Sequence, residues 1–348
     1  MRVLVAMSGG VDSSVAAALA VESGAEAVGL SLHLSEGASR CCSIEDARRV
    51  AEQLGMRFYV ARYVERFRRE VMEPFADAYL EGRTPIPCVA CNKRFKFDAL
   101  LARARLLGAE RLVTGHFARV DRDEAGRWRL RRAADRAKDQ SYFLFQLAPE
   151  QLERVWFPLG GLGKAQVREH ARRLGLVTAE KPESHEICFV PEGAYAAAVE
   201  RLRPGAGRPG EVVDEAGRVL GRHAGVHRFT VGQRRGLGLA AGRRLYVTGL
   251  DAAAGRVRVG DARALEARGA ELAQVSWMGA PGDTRALRAS VQVRYRHPGA
   301  KAWVEPRPGG RARVVFDEPV AAVSPGQAAV FYEGDVVLGG GWIERSLP

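Results

Sequence analysis

A chain of 348 residues, 47% hydrophobic and 27% charged, is long enough for two or three domains and has the makeup of an ordinary water-soluble protein. It holds no apolar run of about 18 residues and no basic amino-terminal segment leading into an apolar stretch, which speaks against a membrane span or a secretion signal and for a cytoplasmic protein. The net charge of +12 is uneven: residues 1–200 carry 30 Lys or Arg against 27 Asp or Glu, and residues 201–348 carry 23 against 14, so a polyanionic partner is expected toward the carboxyl terminus.

In chain order, RVLVAM at 2–7 reads as a buried strand. It runs into Ser8-Gly9-Gly10-Val11-Asp12-Ser13-Ser14 and then an Ala-rich helix over 13–22. Strands are predicted at 26–34, 58–61 and 111–114, and helices at 43–54, 65–80, 95–107 and 164–174. Ser43 with Asp46 has capping-box spacing, with Asp in place of Glu or Gln. A hairpin is predicted from 118–121 and 128–132. This rhythm is that of an α/β domain with a parallel sheet, over 1–200. LRPGAGRPG at 202–210 is a Pro/Gly-rich linker, after which the helical period stops. A small β-rich domain at 201–265 is predicted from strand pairs turning at 214–217 and near 251–255. Over 266–348, alternating runs at 290–296, 302–306, 311–316 and 328–332 between Pro/Gly turns predict a β-barrel.

The first loop lacks both the Gly-Lys-Ser/Thr ending of a Walker loop and the three glycines of a dinucleotide fingerprint. SGGVDSS resembles the PP-loop of ATP pyrophosphatases, which implies that ATP is cleaved to AMP and pyrophosphate. Its glycines let backbone approach phosphate, and Ser8, Ser13 and Ser14 bring hydroxyls to the positive end of the following helix.

Five cysteines, an odd number, argue against a disulfide framework. They fall into Cys41-Cys42, the pair Cys88 and Cys91, and Cys188. A lone C-x-x-C is ambiguous between a thiol pair and half a zinc site, and no second half is evident. Lys93, Arg94 and Lys96 follow Cys91, where positive charge favours thiolate.

Taken together, SGGVDSS at 8–14, CCSIEDAR at 41–48, PCVACNKRFKFDALL at 87–101, TGHFARV at 114–120, KDQSYFLFQL at 138–147, FPLGGLGKAQVR at 157–168, EICFVP at 186–191, FTVGQRRGLGL at 229–239 and VRYRHPGA at 293–300 resemble the tRNA-specific 2-thiouridylases. The segments are ordered and span nearly the whole chain. The resemblance implies ATP-dependent 2-thiolation of the wobble uridine of the tRNA anticodon. Cys188 would carry sulfur as a persulfide, and Cys91 would attack it or close a disulfide with Cys188 after transfer. Ala6, Met7, Ser8, Gly9, Gly10, Val11, Asp12, Ser13, Leu32 and Gly115 would bind ATP, with Asp12 helping to position Mg²⁺. Lys138, Asp139 and Gln140 would contact tRNA, with Ile86, Pro87 and Cys88 beside a flipped base. Arg294 and Tyr295 would add a phosphate binder and a stacking surface, and His116 and Gln327 are further RNA-contact candidates. The implied partners are the anticodon stem-loop and a cysteine desulfurase or relay protein.

The chain departs from the family in three places. Ile86 stands where many members have Asn, and Cys88 where some have Asp. Leu32 replaces a Met that contacts adenine. Lys181-Pro182-Glu183-Ser184-His185 replaces a more usual Lys-Lys-Asp-Ser-Gln. The sequence also leaves open a [4Fe-4S] cluster on Cys88, Cys91 and Cys188, an amide-forming ligase on the same loop, and a tRNA-binding protein with a silent nucleotide site.

Overall fold

The computed structural model describes residues 1–36, 43–182, 187–190, 193–239, 242–278 and 285–348. Cys41 and Cys42, and Glu183, Ser184, His185 and Glu186 ahead of Cys188, lie outside them. Two compact units form: Met1–Val71 with Cys88–Phe189 and Asp335–Val337, and Met72–Pro87 with Val190–Gly334 and Leu338–Pro348.

The first unit is built on five parallel strands: β1 (Arg2–Ala6), β2 (Glu26–His33), β3 (Arg57–Arg62), β4 (Arg111–Val113) and, beyond a hairpin, a two-residue strand at Val155–Trp156. The hairpin is β5 (Ala118–Arg122) with β6 (Trp128–Arg132), antiparallel as predicted, and the two-residue strand is β7. Sheet order is β3-β2-β1-β4-β7. Val3 and Val5 of β1 and Val113 of β4 are fully buried against Val15, Ala16, Ala17 and Ala20 of the helix Val11–Glu22. The small alanine side chains let that helix lie close to the sheet, so its amino terminus is held over the ends of β1 and β4.

The second unit contains two β-systems. Strands β8 (Gly210–Val213), β9 (Val219–His223), β10 (Tyr246–Asp251) and β11 (Arg256–Gly260) form a sheet in the order β10-β11-β8-β9 around Val212, Val247, Val257 and Val259. Then β12 (Glu266–Trp277), β13 (Leu287–Gln292), β14 (Ala300–Arg307), β15 (Arg311–Ala321), β16 (Ala328–Glu333) and β17 (Val336–Leu347) follow one another in the order β12-β15-β14-β13-β16-β17. Pairing of β12 with β17 closes the barrel around Val291, Val304, Val314 and Phe331, and closure leaves no open edge between these six strands.

Several boundaries differ from the predicted ones. Residues 65–80 are broken into Val64–Phe67, a π-helical turn Arg68–Met72 and Glu73–Leu80. Residues 290–296 are not one strand: β13 ends at Gln292, and Arg296 takes φ +64°, so Arg294, Tyr295 and Arg296 form a turn that follows the strand. No helix among the described residues is long and apolar enough to cross a membrane.

Candidate active site

The strand order reverses between β1 and β4, with β2 and β3 laid to one side of β1, and β4 and β7 to the other, and in open parallel sheets ligands enter the crevice at the carboxyl ends of such a pair. The loop after β1 and the loop after β4 meet there. Gly10 caps the helix Val11–Glu22 in extended conformation (φ −99°, ψ 161°). Ser13 Oγ accepts from Ser8 N at 3.1 Å and donates to Gly10 O at 3.0 Å, while Ser14 Oγ donates to Gly10 O at 2.9 Å. These bonds fold the loop onto the first turn, whose N–H groups at Val11, Asp12 and Ser13 have no acceptor within the helix and supply its positive end. From outside, Ser43 N donates to Ser8 O at 2.9 Å, and Ser43 Oγ accepts from Asp46 N at 3.2 Å, making Ser43 the N-cap that the spacing predicted.

Two glycines make this approach possible. Gly9 has φ +74°, and a Cβ there would stand 2.1 Å from the Ser43 carbonyl oxygen. A Cβ on Gly115 would stand 2.7 Å from Asp12 C and 2.8 Å from Ser13 N, so only glycine lets the β4 loop touch the helix start.

Between the loops lies a cavity of about 190 Å³, lined by Ala6, Met7, Ser8, Asp12, Ser13, Leu30, Leu32, Leu34, Lys96, Leu100, Thr114, Gly115, His116 and Gln140. Of the expected nucleotide residues, Gly9, Gly10 and Val11 contribute loop backbone instead of lining it. Leu30 and Leu34 flank Leu32 at period two, and that alternation in LSLHL was the signal for them. Apolar Leu32 on this wall is compatible with contact to a base. Asp12 is ion-paired with Lys164 (Nζ to Oδ1 2.5 Å), and Lys181 Nζ donates to Gly9 O at 2.8 Å and to Asp46 Oδ2 at 2.6 Å. Sequence reasoning missed both lysines, since they lie 152 and 172 residues from their loop partners.

The cysteine segment is tied to this cavity by its neighbour. Pro87–Cys91 begins a helical run that continues through a π-helical stretch, Asn92–Ala99, into Leu100–Leu106. It starts well before the predicted 95. Asn92 Oδ1 lies 3.2 Å from His116 Nε2, and Thr114 Oγ1 lies 2.7 Å from His116 Nδ1. Burial, helped by the charge of Lys96, holds the His116 imidazole well below its ordinary pKa. A neutral ring satisfies both contacts, with Nε2 donating to the amide oxygen and Nδ1 accepting from the hydroxyl. Gln140 Oε1 accepts from Phe117 N at 3.0 Å, so the segments around Cys91, Gly115 and Gln140 are knitted together. Asp139 is buried, accepting from Ala133 N, Ser141 N, Ser141 Oγ and Arg132 Nη1 at 2.9–3.2 Å, and so holds the turn that presents Lys138. Cys188 is half-buried and Cys91 buried, and both are reduced. Phe189 meets Phe67 edge-on (centroids 5.8 Å apart) and Phe67 meets Phe95 (5.4 Å), so one aromatic cluster joins the residue after Cys188 to the helix that follows Cys91.

Family models match the chain in three stretches: a tRNA methyl transferase HUP domain over residues 1–192, a tRNA methyl transferase PRC-barrel domain over 201–261 and an aminomethyltransferase β-barrel domain over 268–343. The tRNA-specific 2-thiouridylase MnmA of Geobacter metallireducens is 51% identical over 99% of this chain and 97% of its own length, and that of Geotalea uraniireducens is 49% identical over 99% and 96%. The chain belongs to the tRNA-specific 2-thiouridylase family. The 2-thiouridylase fold is thus an amino-terminal PP-loop domain with a parallel sheet, a middle PRC-barrel domain and a carboxyl-terminal β-barrel.

The remaining 2-thiouridylase positions lie in the second unit. Gln327 Nε2 donates to Thr84 O at 2.8 Å, and Thr84 N donates to Pro325 O at 2.9 Å, so Gln327 fixes the chain just ahead of Ile86 and Pro87. Arg294 is exposed and donates to Ala321 O at 3.0 Å, and Arg296 stands over the Tyr295 ring, 5.5 Å from its centroid. His297 beside them is pushed down to about 4 by burial and the charge of Arg294. Among the described residues no three His, Cys, Asp or Glu side chains are grouped to hold a metal.

Proposed function

We propose that this chain 2-thiolates the wobble uridine of the tRNA anticodon, using MgATP and a persulfide on Cys188. The observation that carries the reading is the joining, through Asn92 and His116, of a PP-loop cavity to the cysteine helix. Uridine O2 attacks the α-phosphorus of ATP; an O–P bond forms and pyrophosphate leaves. The terminal sulfur of the Cys188 persulfide then forms a bond to C2, and AMP departs with the C2–O bond. Attack of Cys91 on Cys188 Sγ breaks the S–S bond, leaves sulfur on C2 and closes a Cys91–Cys188 disulfide, which a thiol reductant reopens.

In this reading Ala6 to Ser13, Leu32 and Gly115 bind ATP, the loop N–H groups receive the phosphates, and Asp12 meets the Mg²⁺ that arrives with ATP. Ile86, Pro87 and Cys88 lie beside the flipped base, Lys138 and Gln140 meet the anticodon arm, and Asp139 and His116 act from behind by holding those segments. Arg294, Tyr295 and the barrel segment held by Gln327 contact the RNA. We divide the chain at 1–200, 201–265 and 266–348, which the three family matches support. The sulfur donor is a cysteine desulfurase or a relay protein, and the setting is the cytoplasm, where thiols stay reduced.

AMP release from labelled ATP is expected to require unmodified anticodon stem-loop RNA. AMP release driven by ammonia and a carboxylic acid without RNA would instead establish the amide-ligase reading.

A further inference from the structure

Between Glu215 and Asp251 the chain carries seven arginines and no Asp, Glu or Lys, although residues 201–348 as a whole hold 14 acidic residues. Two of the seven are neutralised nearby: Arg218 by Asp214 (2.8 Å) and Arg228 by Glu200 (2.5 Å). Arg222 stands across from Glu211 in the pairing of β8 with β9. Arg234, Arg235, Arg243 and Arg244 remain; all four are exposed, and none has an ion-pair partner among the described residues. The fold brings these two pairs together. Gly232 N donates to Val247 O at 2.8 Å and Val247 N to Gln233 O at 2.9 Å, so one pair leaves and the other enters the same backbone junction. Gln233 also accepts from Thr230 N and donates to Arg235 O, both at 3.0 Å, which fixes the main chain of Arg235. Leu237 and Leu239 anchor the segment from beneath, packed against the core of Val212, Phe229, Leu245 and Val247. Gly238 and Gly242 take φ +66° and +63°, and a Cβ at either would meet nothing within 4 Å, so the backbone at both is open to a partner's approach. Four like charges held together raise the energy of the free protein, and a polyanion relieves it while shedding its own condensed counterions. No aromatic residue lies between Phe229, which is buried, and Tyr246, so the face offers guanidiniums without a stacking surface and suits phosphates instead of unstacked bases.

We infer that Arg234, Arg235, Arg243 and Arg244 form a face that binds the sugar–phosphate backbone of the tRNA and reads no base. The inference rests on tRNA as the substrate of this chain, but its test needs neither ATP nor sulfur. Binding of an unmodified tRNA transcript to the full chain is measured over a series of salt concentrations. Changing all four arginines to Gln is expected to lower the slope of log K against log salt by about 2–3, since each phosphate contact contributes about 0.7–0.9. Affinity at low salt is expected to fall about tenfold or more, and by the same factor for a transcript that carries cytidine at the wobble position. Changing the four to Lys keeps the charges and is expected to keep the slope, which guards against a Gln variant that merely folds badly. Arg57, Arg62, Arg172 and Arg311 are exposed and each is ion-paired, with Glu26, Glu26, Glu180 and Glu344. Changing those four to Gln alters the net charge equally and is expected to leave slope and affinity near wild type. A wild-type slope in the first Gln variant, an equal loss in the second, or a loss confined to the uridine-bearing transcript would overturn the inference. So would unchanged tRNA binding with impaired sulfur delivery, which would give the face to a protein donor. A wild type that binds with the expected slope but never thiolates tRNA would leave the face standing and sink the functional reading.

Discussion

Gly9→Ala is expected to lower kcat/KM for ATP by about two orders of magnitude or more while leaving the protein folded. Two costs combine. At φ +74° an alanine costs about 1–2 kcal/mol of backbone strain. Its Cβ also arrives 2.1 Å from the Ser43 carbonyl oxygen and 3.2 Å from Ala47 N, both backbone atoms held by the cap of the helix Ile44–Gln53. The loop must therefore leave the position in which Lys181 and Ser43 hold its carbonyls. Gly24→Ala is the matched control: its φ is +77°, but a Cβ there meets nothing within 4 Å. It should cost about 1 kcal/mol of stability and leave ATP kinetics alone. Steady-state ATP kinetics alongside urea midpoints separate the two; equal kinetics for both variants would show that the close approach to Ser43 is unimportant.

Cys188→Ser is expected to reduce tRNA thiolation by at least about three orders of magnitude, because a serine hydroxyl cannot hold transferable sulfur. Pyrophosphate release in the first turnover should persist, since Cys188 is absent from the cavity wall. The split matters more than the loss. A variant that fails in both steps would place Cys188 in adenylation, and one that still thiolates at a tenth of the wild-type rate would remove it from sulfur transfer.

The parallel sheet was legible because strands β1 to β4 are short apolar runs bounded by turns, and the loop was legible from its glycines and serines in a strand–loop–helix setting. Other elements carried contrary local signals. EARGAELAQVSW of β12 is rich in Ala, Glu and Gly, and VVLGGGWIERSL of β17 holds three consecutive glycines; both became strands through pairing with each other to close the barrel. The helix Tyr195–Leu202 (YAAAVERL) went unpredicted, hidden against the linker that follows it. At the site, sequence spacing found residues that act through local backbone, such as Ser13 and Gly115. It missed Asn92, Lys164 and Lys181, whose partners are brought near only by the fold.

Sulfur-35 transfer from cysteine through a desulfurase to unmodified tRNA, with and without ATP, tests the account most directly. The expected result is label on the wobble uridine that requires ATP and Mg²⁺ and vanishes with Cys188→Ser. Label absent from tRNA in the folded, ATP-binding wild type with an active sulfur donor would contradict the account.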